Sequence, residues 1–199
     1  MERDEDLIVE INRLWEPVYP HMAGYVMEAS GIDRGILLDL GPFAGGIAVA
    51  LLSRAPGLRA VVRDPSPRVL GWARELAQGA GVADRLELRC APVEIPDEAD
   101  ASWDLVTVRG AFFFLTPGLL AHVGRVLRPG GFGWVGGGYG PLTPPEVIAP
   151  IADASRDLNA RLGKRWVSPE QAASLVREAG LEGRARVRTE GGLWIEVRA

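Results

Sequence analysis

The sequence predicts an α/β chain: a largely parallel sheet with helices on both faces, closed by a C-terminal β-hairpin. Three observations carry this. Short apolar runs alternate with amphipathic helical segments along most of the chain. The first run leads directly into a glycine-rich turn, Gly41-Pro42-Phe43-Ala44-Gly45-Gly46, and the last two strand-like runs are separated only by Glu190-Gly191-Gly192.

In chain order, apolar spacing predicts a helix from Leu7 to about Trp15. After Pro17 and Pro20 a second covers Met22 to Ala29 and stops at Ser30-Gly31. Gly35–Leu40 reads as a buried strand and Ile47–Ser53 as the helix after its turn. There follow strand Arg59–Arg63, helix Ser66–Ala80, strands Leu86–Cys90 and Leu105–Val108, helix Pro117–Leu127 and strand Gly133–Gly136. Arg128-Pro129-Gly130-Gly131 reads as a stop and turn. Past the Pro141-to-Pro145 break, one helix is expected from about Glu146 to Leu162. Another, capped by Ser168 with Pro169 at its first position and Glu170 behind, runs to Ala179-Gly180. Strands Glu182–Thr189 and Leu193–Arg198 complete the hairpin.

A chain of 199 residues with 47% hydrophobic content can bury a full-sized core and suggests one domain. We expect residues 1–34 to form a helical cap, 35–140 a ligand-binding core, and 141–199 the last helices and hairpin. No apolar run reaches the roughly 18 residues of a membrane span, and the acidic start is unlike a secretory signal, so a cytoplasmic protein without membrane attachment is expected. A net charge of −4 argues against nucleic acid as a partner. Arg184, Arg186 and Arg188 alternate at strand period and read as a solvated face. The single cysteine, Cys90, allows no internal disulfide and reads as a small buried hydrophobe. No metal is expected.

The turn after the first strand carries the chemistry. A helix opening there offers unpaired N–H groups to an anion, and an acid closing the second strand, Asp64, can accept both hydroxyls of a ribose. A dinucleotide fingerprint wants a second glycine where this chain has Phe43. With Asp39 two residues before Gly41, the loop instead resembles the D-x-G-x-G-x-G loop of Rossmann-like S-adenosylmethionine-dependent methyltransferases, one of its glycines being replaced by Phe43.

The resemblance continues downstream. Asp64-Pro65-Ser66-Pro67-Arg68-Val69-Leu70 is similar to the D-x-S-x-x-M-L segment after the second strand of these enzymes. Cys90-Ala91-Pro92-Val93-Glu94-Ile95-Pro96 is similar to G-D-A-x-x-L-P, with Ala91 in place of the acid that receives the adenine amine. Arg109-Gly110-Ala111-Phe112-Phe113, the Gly136-to-Gly140 run, the Trp15-to-Pro20 segment and Gly192-Leu193-Trp194 resemble the strand ends and termini of a small group of bacterial methyltransferases. The resemblance implies a seven-stranded sheet whose last strand inserts antiparallel. S-adenosylmethionine would lie on Asp39, Gly41, Pro42, Phe43, Gly45, Asp64, Pro65, Ala91, Pro92, Arg109 and Gly110. Trp15, Tyr19, Phe113, Tyr139 and Trp194 would wall the acceptor pocket.

The fourth strand lacks the [DN]-P-P-[YFW] motif of enzymes that methylate base amines, and Arg109 stands where catechol-type enzymes place a metal-binding carboxylate. Methyl transfer to a small molecule is the function the sequence favours, with His21 or Tyr19 as candidate bases if the acceptor is a hydroxyl. Phe43 is expected to keep negative φ and pack beneath the N-terminal helices, away from the cofactor. The alternative is a cofactor-binding protein without turnover; a nicotinamide oxidoreductase ranks third.

Overall fold

The computed structural model describes residues 2–95, 97–164 and 166–199. One seven-stranded sheet organises the chain: β1 (Arg34–Leu40), β2 (Gly57–Asp64), β3 (Leu86–Cys90), β4 (Trp103–Arg109), β5 (Leu127–Gly137), β6 (Ala185–Arg188) and β7 (Leu193–Arg198). Its order is β3-β2-β1-β4-β5-β7-β6. The first five strands run parallel, and β7 lies antiparallel between β5 and β6. The chain winds outward from β1 to β3 on one side and from β4 to β5 on the other. That reversal between β1 and β4 opens a crevice at the strands' carboxyl ends.

Strand periodicity divides the core into two layers. On β1, Leu37 joins one apolar cluster while Leu38 and Leu40 join the other; on β4, Leu105 and the pair Val106, Val108 include members of both. Helices α1 (Glu2–Leu14), α2 (Tyr19–Ser30), α3 (Gly46–Arg54) and α4 (Pro67–Gly79) cover the first face. The opposite face is closed by α5 (Pro117–Val126) and α8 (Pro169–Glu178). Two short helices precede α8, α6 (Pro145–Ile148) and α7 (Ala152–Arg161).

Local sequence sets the helix starts. Ser66, Thr116 and Ser168 each accept a hydrogen bond from the backbone three residues on, and each is followed by proline in the first turn. Ser168 forms a full capping box, with Gln171 rather than Glu170 as its reciprocal partner.

Several expectations need correction. The single helix expected over Glu146–Leu162 is two, because Pro150 cannot continue the hydrogen-bond ladder between α6 and α7. Arg128–Gly131 does not precede β5 but bulges out of it: Trp103 faces Leu127, and Leu105 faces Phe132. Helix α2 starts three residues earlier than expected, at Tyr19, with Pro20 in its first turn. Strand β6 is shorter than expected, since Glu182–Arg184 turn before it. Cys90 is exposed rather than buried, because β3 is the sheet's outer strand and the residue ends it.

An unforeseen feature is the anchoring of the segment after β3. Arg63, one residue before the end of β2, is 5% exposed. Its guanidinium donates to the carbonyls of Pro92 at 2.6 Å and Glu94 at 3.0 Å, and to the carboxylates of Asp97 at 3.0 Å and Glu98 at 3.1 Å. Replacing it leaves the Pro92 and Glu94 carbonyls without this donor and Glu98 with Arg89 alone, at 3.2 Å. Arg63→Met is therefore expected to cost about 2–4 kcal/mol of unfolding free energy, measured by urea denaturation; a loss below about 0.5 kcal/mol would show that the segment holds itself.

Candidate active site

Everything at the crevice is arranged around the turn between β1 and α3. Asp39 is 1% exposed. Its Oδ2 accepts the Gly45 amide at 2.8 Å, and its Oδ1 accepts the Thr107 hydroxyl of β4 at 2.7 Å. The carboxylate thus closes the turn on itself and ties it to the neighbouring strand. Burial raises its pKa to about 6, against the pull of the Gly45, Thr107 and Ala48 donors and the Arg109 charge. Gly45 sits at φ +109°, and a Cβ there would lie 2.6 Å from that of Ala73. Asp39 therefore acts through the turn's shape.

Asp64 ends β2 beside Gly41 and is wholly buried. Its Oδ1 accepts the Ser66 amide at 2.7 Å, whereas its Oδ2 has no partner among the described residues. A side chain at Gly41 would collide with that oxygen. Desolvation raises the Asp64 pKa to about 6, Ser66 opposing and the Asp39 and Glu5 charges adding to the rise. Across the next strand, the Ala91 amide donates to the Asp64 carbonyl at 3.2 Å, which brings Ala91 alongside Pro65 and the Arg63-anchored segment. Glu94 is exposed, and its carbonyl is taken by Arg63.

At the end of β4 stands Arg109, 3% exposed. Its Nη2 donates to the Asn12 side chain and, at 2.8 Å, to the Tyr19 hydroxyl, while Nε has no acceptor among the described residues. The guanidinium lies 4.8 Å from the Trp15 ring centre, 5.2 Å from Tyr19 and 4.9 Å from Phe43. Burial lowers its pKa, and the Tyr19 and Asp39 charges counter the drop; an arginine stays charged regardless. Tyr19 in turn is held well above the usual phenol range by desolvation, and its hydroxyl is occupied by Asn12 and Arg109, so it is no base.

Phe43 keeps negative φ and is buried in the cluster that includes Trp15 and Tyr19. Its ring does not turn away from the crevice, however. It packs directly on Gly110 and 5.6 Å from the Phe113 ring, because Arg109 fills the space between it and the N-terminal helices.

Beyond this box lies a chamber of about 580 Å³. Trp15 and Tyr139, stacked at 4.6 Å, form one wall, with Phe112, Trp166 and Leu193 among the others. A small inner chamber of about 30 Å³, bounded by Phe43, Arg109, Gly110 and Phe113, shares Trp15, Phe112, Asn159 and Lys164 with it. Two expected wall residues are elsewhere. Trp194 is fully buried and stacked 3.6 Å from Trp134 in the core, and Tyr19 lies behind Arg109. His21 borders neither chamber. Sequence reading missed Asn12, Thr107, Ser155 and Asn159, which hold Arg109, Asp39 and Trp15 in place: the Trp15 indole donates to Ser155 at 2.9 Å, and Asn159 donates to the Ser155 carbonyl at 2.6 Å. Their only signal was isolated polarity, Asn12, Ser155 and Asn159 on amphipathic helices and Thr107 within the apolar strand β4.

Comparison with known proteins agrees with this architecture. Residues 37–131 match the family model described as a methyltransferase domain. The ubiquinone/menaquinone biosynthesis C-methyltransferase of Paracoccus denitrificans is 30% identical over 175 residues, 78% of this chain and 69% of the relative. An Aquifex aeolicus SAM-dependent methyltransferase has the same fold, with TM-score 0.63, 20% identity and 96% of each chain covered. So does a Methanococcus maripaludis protein proposed to be of that class, at TM-score 0.77, 22% identity, 98% of this chain and 91% of that one. The strand order, the turn built on Asp39 and the relatedness to a C-methyltransferase together establish that the chain belongs to the S-adenosylmethionine-dependent methyltransferases of the Rossmann-like class.

Proposed function

We propose that this protein transfers the methyl group of S-adenosylmethionine to a small molecule bound in the 580 Å³ chamber. The observation that carries this reading is the buried, unpartnered Oδ2 of Asp64 next to Gly41. A buried carboxylate oxygen without a donor is costly, and two ribose hydroxyls are the donors that the end of β2 is shaped to receive. Ala91 and Pro92, steadied by Arg63, would flank the base, and the Asp39-closed turn would face the aminoacyl end. No metal ligand enters this scheme.

When bound, the cofactor supplies a methyl group on a positively charged sulfur that leaves as a neutral thioether. The chain's own task is then to align the acceptor and keep water out. Trp15, Tyr139 and Phe112 give an apolar, aromatic lining suited to a planar acceptor and to a nearby sulfonium. Neither His21 nor Tyr19 is placed to remove a proton, which favours acceptors that are nucleophilic without one or bring their own acidity. Helix α1 packs along α4, with Asp6 paired to Arg68, and the Trp72 indole of α4 donates at 3.2 Å to Glu16, just past α1.

The Phe43 ring on Gly110 favours a second reading, in which ligand binds without turnover.

Asp64→Ala is expected to weaken S-adenosylhomocysteine binding by about 1–3 kcal/mol in calorimetry. The wild-type affinity should also depend on pH. Hydroxyl donors stabilise the ionised carboxylate, so binding strengthens as pH rises through the free-state pKa of about 6 and levels off above it. Affinity at pH 5 should be about tenfold below that at pH 7, and the variant should lose this dependence; a flat wild-type profile would remove Asp64 from the site. Phe43→Ala is expected to cost about 3 kcal/mol of stability while changing that affinity less than about threefold. A gain of about tenfold or more would mean that the ring blocks the cofactor and would favour the second reading.

A further inference from the structure

Arg109 poses an electrostatic problem that the fold leaves open. A guanidinium 97% removed from solvent ordinarily lies against a carboxylate, since an uncompensated buried charge is strongly destabilising. Among the described residues Arg109 forms no ion pair. Its hydrogen-bond acceptors are the neutral Asn12 and Tyr19, and its Nε is bare. The one carboxylate whose charge reaches it, Asp39, is already engaged by Gly45 and Thr107.

The same imbalance extends outward. Lys164 borders both chambers, its Nζ 5.0 Å from the Trp166 ring centre. The nearby walls strip water from its amine and the Arg109 charge repels it, both lowering its pKa, even though much of the residue remains open to solvent. Arg156 lines the outer chamber too, paired with Asp153. Among the described residues, no aspartate or glutamate lines either chamber. Of those same residues, two cations bracket the inner chamber, three edge the combined space, and the walls between them are aromatic.

We propose that the inner chamber is an anion subsite and that the acceptor is a planar aromatic carboxylate. Its ring lies in the outer chamber against Trp15 and Tyr139, and its carboxylate reaches inward between Arg109 and Lys164. This rests on the methyl-transfer reading for the word acceptor, but the subsite itself does not. A carboxylate has a second possible source, the aminoacyl end of the cofactor, and the test separates the two.

The probe is naphthalene-2-carboxylate, compared with the isosteric neutral naphthalene-2-carboxamide, by calorimetry and tryptophan fluorescence on the full chain. The carboxylate is expected to bind about tenfold or more tightly than the amide, as one charge-assisted pair implies. Lys164→Met should reduce that preference several-fold while leaving S-adenosylhomocysteine affinity within twofold of wild type. Arg109→Gln should abolish the preference; because Arg109 is buried, its fold is checked by circular dichroism, and the Lys164 variant decides the matter if it fails. Equal binding of carboxylate and amide by wild type overturns the subsite. Carboxylate binding that S-adenosylhomocysteine displaces overturns its assignment to the acceptor and gives Arg109 to the cofactor. Simultaneous binding of both supports the proposal. A protein that prefers the carboxylate but binds no S-adenosylhomocysteine would retain the subsite and lose the methyl-transfer reading.

Discussion

The crevice depends on one buried carboxylate. Asp39 has two oxygens and spends them in two directions, one on the amide of Gly45 and one on the hydroxyl of Thr107. The first bond fixes where α3 begins and the second fixes the turn to β4, the strand across the switch point. Burial opposes ionisation strongly enough to raise the pKa to about 6, so the local donors, and the positive charge of Arg109, are what keep the group a carboxylate at neutral pH. With the turn held this way, Gly41 can approach Asp64 closely, and Phe43 is directed onto Gly110.

A second constraint is the way the N-terminal helices serve the site. They supply no backbone to the sheet, yet Asn12 and Tyr19 are the acceptors for Arg109, and Trp15 stacks on both its guanidinium and Tyr139. The N-terminal segment therefore shapes the crevice as well as the core. Among the described residues, the buried polar atoms of this group that lack a partner are Asp64 Oδ2, Arg109 Nε and Asn12 Nδ2. The first is an acceptor and the other two are donors, so the crevice holds open groups of both kinds.

The parts of this arrangement legible in the sequence are those governed by local rules. Short apolar runs marked the strands, proline and serine marked the starts of α4, α5 and α8, and the spacing from Asp39 to Gly41, Gly45 and Asp64 marked the turn and the acid across from it. What stayed hidden depends on tertiary contact. Trp194 reads as a pocket residue because it flanks a strand end, but strand alternation turns it onto Trp134. Cys90 reads as a small buried hydrophobe because a lone cysteine can form no internal disulfide, but its strand lies at the sheet's margin. The orientation of Phe43 could not follow from its missing glycine, since Arg109, sixty-six residues away in sequence, takes the space beneath the helices. Asn12 and Arg63 carry no motif; their importance comes from what the fold places against them.

We assign the unpartnered oxygen of Asp64 as the cofactor's ribose anchor. A crystal structure of the protein with S-adenosylhomocysteine should show both ribose hydroxyls within hydrogen-bond reach of the Asp64 carboxylate and the adenine beside Ala91 and Pro92. A bound ligand that leaves Asp64 Oδ2 without a donor would overturn the assignment.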